Sequence, residues 1–144
     1  MTDPNERRPE IEEDFGEARL FTLEEAREMM PALREALREL QAEKRELDEL
    51  RRRMRALTPA MRANGHALEA AELEERIQIQ VLVIRAGLTE IEEAGVLVKD
   101  LDLGLVDFPS LREGRVVFLC WMISEPDISY WHEITDGFQG RRPL

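Results

Sequence analysis

Val116-Val117-Phe118-Leu119-Cys120-Trp121-Met122-Ile123 is an unbroken run of eight apolar residues between Arg115 and Ser124. The run is too short to span a bilayer as a helix and suits a buried strand. As a strand it puts Val116, Phe118, Cys120 and Met122 on one face. Val117, Leu119, Trp121 and Ile123 fall on the other. Both faces are apolar, so both must be covered. A helical layer can cover one. The C-terminal tail or a second protomer has to cover the other, and self-association, with a dimer favoured, is the expectation that follows.

Shorter runs flank this strand. Residues 96–99 and 104–108 read as strands, the second stopped by Pro109, and 110–114 as a loop. Glu125-Pro126-Asp127 reads as a turn and 128–134 as a further strand. The pattern predicts a small antiparallel meander of three to four strands over about 96–135, with a loop-like tail over 136–144.

Upstream the period changes. Thr22-Leu23-Glu24-Glu25 has the form of a capping box and opens a helix. Leu33, Leu37, Leu40, Leu47, Leu50, Met54 and Leu57 then recur at helical spacing on an otherwise charged segment. Pro31 predicts a kink or restart near Met30. Thr58-Pro59 and Asn64-Gly65 mark a turn. A second stripe of Leu73, Ile77, Val81, Ile84, Leu88 and Ile91 predicts a helix over 67–94, closed by Gly95 in a left-handed conformation. The fold expected is α+β: a long antiparallel, coiled-coil-like helical hairpin over about 22–94, joined to the β unit in one domain over 19–144. Residues 1–18, with Pro4, Pro9, Gly16 and seven acids, read as a flexible acidic tail.

The formal net charge of −11 argues against nucleic acid and against anionic membrane surfaces as partners. The basic cluster Arg51-Arg52-Arg53 with Arg55 reads as a solvated helix face, and His66 as exposed at the hairpin tip. One cysteine, no apolar leader and no long apolar span predict a cytoplasmic protein.

Six of the eight aromatic residues lie in 104–144, and any site is expected there. His132-Glu133 is the most suggestive pair. His132 has the chemistry of a metal ligand or general base, with Glu133 or Asp107 to orient it. The helical zinc signature with a second histidine four residues on is absent, and His132 also reads as a partly buried strand residue. Asp100 to Asp107 has a faint likeness to a calcium loop but lacks its twelfth-position Glu, so a hairpin turn with solvated acids is the plainer reading. A divalent site using Asp102 and Asp107 stays open. Arg141-Arg142 suits binding an anion or, more plainly, clamping a carboxylate of the same chain, Glu125 or Asp107. Cys120 reads as a small hydrophobe. The candidate binding residues are therefore Asp107, Trp131, His132, Glu133 and Arg141, and the metal candidates His132, Glu133, Asp102 and Asp107. No catalytic residue and no cofactor is assigned, although a divalent metal remains open.

Phe21-Thr22-Leu23-Glu24-Glu25-Ala26 followed by Leu33 resembles the opening of a bacterial family, domain of unknown function 2203. So do Lys99-Asp100-Leu101, Gly104-Leu105-Val106-Asp107-Phe108-Pro109, Gly114-Arg115-Val116, Leu119-Cys120-Trp121, Glu125-Pro126, Tyr130-Trp131-His132-Glu133 and Gly137-Phe138 with Gly140-Arg141 and Pro143. The likeness covers about 21–144 and is stronger in the C-terminal half. Met122-Ile123 and Ser124 depart from it, standing where a more polar pair and a Gly are expected. The resemblance implies the architecture and a bacterial, cytoplasmic setting, but no reaction. The leading functional expectation is a non-enzymatic, self-associating interaction or scaffold protein. The alternative is a metal-binding or metal-dependent hydrolytic site around His132, Glu133 and Asp107.

Overall fold

The computed structural model describes residues 19–144; the acidic tail read over 1–18 lies outside them. Helix α1 (Leu23–Ala56) opens on the expected capping box: Thr22 Oγ1 accepts the Glu25 N–H at 3.1 Å, and Glu25 Oε1 accepts the Thr22 N–H at 3.0 Å. The helix runs through Pro31 without restarting. Pro31 sits on the exposed side, where water can reach the carbonyl four residues back that loses its donor. Thr58 caps a short turn, Pro59–Met61. The chain then reverses through Asn64 and Gly65, which leave helical geometry; Gly65 has φ +101°. Helix α2 (Ala67–Glu93) returns along α1, and Gly95, at φ +95°, takes the left-handed cap position expected of it.

Five strands follow: β1 (Leu97–Asp100), β2 (Leu105–Arg112), β3 (Arg115–Met122), β4 (Tyr130–His132) and β5 (Arg142–Pro143). They form one antiparallel meander in the order β1-β2-β3-β4-β5. The three to four strands expected become five, because two residues of the tail pair with β4.

Pro109 does not stop β2. Its carbonyl accepts the Phe21 N–H at 2.7 Å, so this residue's polar edge points away from β3, into the gap beyond the end of β1, and the missing N–H lies on that side too. Residues 110–112, expected as loop, therefore stay in the strand. The β2–β3 connection shrinks to Glu113 and Gly114, with φ +51° and +77°, the two-residue hairpin geometry that matches strand twist. At the other end of β2, Asp100 Oδ1 accepts the Leu103 N–H at 3.0 Å, and Asp102 is largely exposed near Lys44 at 3.6 Å. The calcium-like stretch is thus a hairpin turn.

Alternation along β2, β3 and β4 sorts two surfaces. Val106, Phe108, Val117, Leu119, Trp121 and Trp131 face α1, where they bury Ala26, Met30, Leu33 and Leu37. Arg34 fixes the crossing: Nη1 donates to the Ile123 carbonyl at 2.6 Å while the guanidinium lies 4.9 Å from the centre of the Trp121 ring. Farther out, Leu50, Leu57, Ala70 and Leu73 make a separate small core between the helices. The second face of β3 is also closed: Phe118 and Cys120 are 3% and 1% exposed. Ile134, Gly137 and Phe138, after β4, lie against it. The chain's own C-terminal segment, one of the two covers expected for this face, lies there.

Leu37 is fully buried where α1 meets the sheet. Leu37→Ala is expected to lower unfolding free energy by about 2–5 kcal/mol in urea titration, since it leaves a void in a packed interior.

Candidate functional site

The covered face of the sheet carries its own polar cluster. Asp107 on β2 and Cys120 on β3 are direct register partners, so their side chains share a face. His132 on β4 pairs with Phe118, two residues from Cys120, and falls on the same face. Asp107, Cys120 and His132 are each no more than 2% exposed. One ligand atom from each, a carboxylate oxygen, Sγ and a ring nitrogen, lies within 4.8 Å of the others.

Hydrogen bonding fixes the histidine. Nδ1 lies 2.7 Å from the Glu133 carbonyl oxygen, which can only accept, so Nδ1 carries a proton. Nε2 lies 3.0 Å from Asp107 Oδ1, and one proton must bridge that contact, held by either partner. Burial raises the Asp107 pKa, opposed by His132 and by the Cys120 thiol that bonds to it. The thiol itself is pushed up to about 12, first by burial and then by the Asp107 charge. A carboxylate thus stands between thiol and imidazole. Nucleophilic thiol chemistry needs the imidazole beside the sulfur and an accessible thiolate, and this order supplies neither.

The set has the chemistry of a metal cradle. Thiolate, imidazole and carboxylate together are a borderline-soft donor set. Tetrahedral zinc places such donors about 3.3–3.8 Å apart; the spacing here, 3.0 Å for Asp107 and His132 and within 4.8 Å across the set, brackets that range. The Nδ1–H bond to a backbone carbonyl leaves the Nε2 lone pair on the cluster side, the outer-shell arrangement that orients metal-binding histidines. Arg141 supports the cluster from behind: Nη2 donates to the Cys120 carbonyl at 3.3 Å and pairs with Glu125, while the guanidinium stacks 4.2 Å from the centre of the Tyr130 ring.

A cavity of about 340 Å³ opens over the cluster, walled by Leu105, Phe118, Ile134 and Phe138, with Lys99 and Asp100 at its rim. A family model, described as an uncharacterised conserved protein, matches residues 19–144. The chain belongs to the DUF2203 family. Searches of curated proteins and of solved structures find no match.

This DUF2203 chain brings together only some of the residues the sequence singled out. Asp107 and His132 meet. Glu133 lends its backbone carbonyl, but its carboxylate pairs with Arg115 at the start of β3. Trp131 faces the opposite way, into the core beside α1, with Arg112 and Arg142 over its ring at 4.5 and 5.2 Å. Asp102 lies in the hairpin turn. Arg141 clamps Glu125 rather than Asp107. The residue that sequence reasoning missed is Cys120, taken as packing. The signal was present: one parity class of β3 holds Cys120, and a register placing Asp107 opposite it needs only a two-residue turn at Glu113-Gly114.

Burial and a thiol pushed up to about 12 give a direct expectation for the folded chain. Without a bound metal the sulfur stays protonated below that pH, so Cys120 of the metal-free chain should resist iodoacetamide at pH 8 and react fully once unfolded. Mass spectrometry of native and urea-treated protein measures both states.

Proposed function

We propose that this chain binds one divalent transition-metal ion, zinc by donor chemistry, on Asp107, Cys120 and His132. Three protein ligands leave one position open toward the cavity, the pattern of a metal that acts on a substrate rather than one that only holds a fold. Water bound there would be acidified by the ion, so metal-dependent hydrolysis is the reaction class that best suits the site. The single observation carrying this reading is the buried convergence of those three side chains beneath an open cavity. A thiol ligand suits a reducing compartment, which favours the cytoplasm; no helix among the described residues is long and apolar enough to cross a membrane.

Untagged protein should carry close to one zinc per chain by elemental analysis. Added zinc should raise the melting temperature of apoprotein, as any ligand that prefers the folded state does. His132→Ala should abolish both effects. Glu133→Gln should preserve both, because that carboxylate is spent on Arg115. Wild-type protein with no stoichiometric metal and an unchanged melting temperature would sink the proposal.

A second reading keeps the chain as a self-associating interaction protein. The doubly apolar strand that first motivated it is covered within the chain, and its support now lies on α2. Ile79, Leu82 and Val83 are 53%, 60% and 45% exposed on neighbouring turns. Such residues are what a second copy of the helix would bury. Light scattering at micromolar concentration should then give twice the chain mass, and Leu82→Glu should return it to one. A wild-type monomer rejects this reading without touching the metal site.

A further inference from the structure

The rim of the cavity carries a cation. Lys99 is one of two lysines in a chain of net charge −11. The other, Lys44, is held by Asp48 at 2.7 Å. Lys99 is exposed and lines the cavity, with its Nζ 5.3 Å from the centre of the Phe118 ring, part of the cavity wall. Among the described residues no carboxylate lies within ion-pair distance of it; the neighbouring Asp100 turns an oxygen to the Leu103 N–H instead. Between Lys99 and the cluster the walls are apolar: Leu105, Phe118, Ile134 and Phe138.

We infer that the cavity binds a small apolar monocarboxylate, its carboxylate paired with Lys99 and its body lying against Phe118, Phe138 and Ile134 toward the metal's open position. This inference rests on the metal-centre reading. Charge selects the ligand class. A divalent ion with one thiolate, one carboxylate and a neutral imidazole is a neutral centre. Lys99 then supplies the positive charge, while the acidic Asp100 on the rim disfavours a dianion such as phosphate. Size sets an upper bound. At about 30 Å³ per water-sized group, a cavity of this volume holds about ten non-hydrogen atoms. The site is therefore built for a short-chain or small aromatic acid, not a peptide or a nucleotide. The apolar wall contributes affinity in proportion to the surface covered, and the lysine contributes orientation.

The test uses the full chain loaded with cobalt(II), whose visible spectrum reports on metal coordination, and two probes, butyrate and inorganic phosphate. Wild-type protein should take up one cobalt per chain, bind butyrate with a spectral change, and bind phosphate more weakly. Lys99→Met keeps an unbranched apolar stem and should leave cobalt uptake unchanged while weakening butyrate about tenfold, the loss expected for one charge-assisted hydrogen bond. Lys99→Arg should restore most of it. Normal cobalt uptake with no butyrate binding, with equal butyrate affinity in wild type and Lys99→Met, or with phosphate bound tighter than butyrate overturns the monocarboxylate assignment and leaves the metal centre standing. Failure of wild-type protein to take up cobalt overturns the metal reading, and this inference with it.

Discussion

Everything in the β unit follows from having to hide β3 on both sides. One face is met by α1, which lays Met30, Leu33 and Leu37 across Val117, Leu119 and Trp121. Among the described residues no helix meets the other, and the segment after β4 lies over Phe118 and Cys120. A helix and an irregular segment make different covers. Under the helix Val117 and Trp121 are fully buried. The irregular segment leaves a cavity, and the polar residues of the sheet stand beneath it.

The polar cluster is tolerated there because each group answers another. An isolated carboxylate at the burial of Asp107 would strongly disfavour its ionised form. Here the thiol and imidazole surround it, and the imidazole is anchored to a backbone carbonyl on its far side. Glu125 and Arg141 extend the order outward. Glu125 Oε1 accepts the Met122 N–H at 2.8 Å, its backbone carbonyl accepts the Trp121 indole N–H at 3.0 Å, and its carboxylate pairs with Arg141. That arrangement fixes the turn after β3 and, through the Cys120 carbonyl, the strand segment carrying the thiol.

The helices were largely legible from residue spacing. Leu33, Leu37, Leu40, Leu47 and Leu50 are buried as their period requires, and Gly95 takes the cap its position foretold. The strand ends were less so. Pro109 reads as a stop only when its partners are unknown; once Phe21 is seen to pair beside it, the missing donor is harmless. The two-residue turn was hidden because Glu113 rarely takes positive φ. That error reached the site. A loop over 110–114 breaks the register that sets Asp107 against Cys120, and without the register Cys120 looks like one more apolar residue. Adjacent letters misled as well. His132 and Glu133 are neighbours in sequence, yet the Glu133 side chain pairs with Arg115 while His132 turns inward.

The far end of the hairpin behaves differently from the rest. Beyond Leu47, among the described residues, the two helices bury apolar side chains against each other through Leu50, Leu57, Ala70 and Leu73, and their link leaves helical geometry at Asn64 and Gly65. Local opening follows the supply of buried contacts. The tip can therefore fray and re-form while the sheet stays closed, and backbone amides should trade protons with water in a gradient along α1, fastest near Ala56 and slowest near Leu33. The hairpin is in that sense an arm with a stiff shoulder and a soft hand.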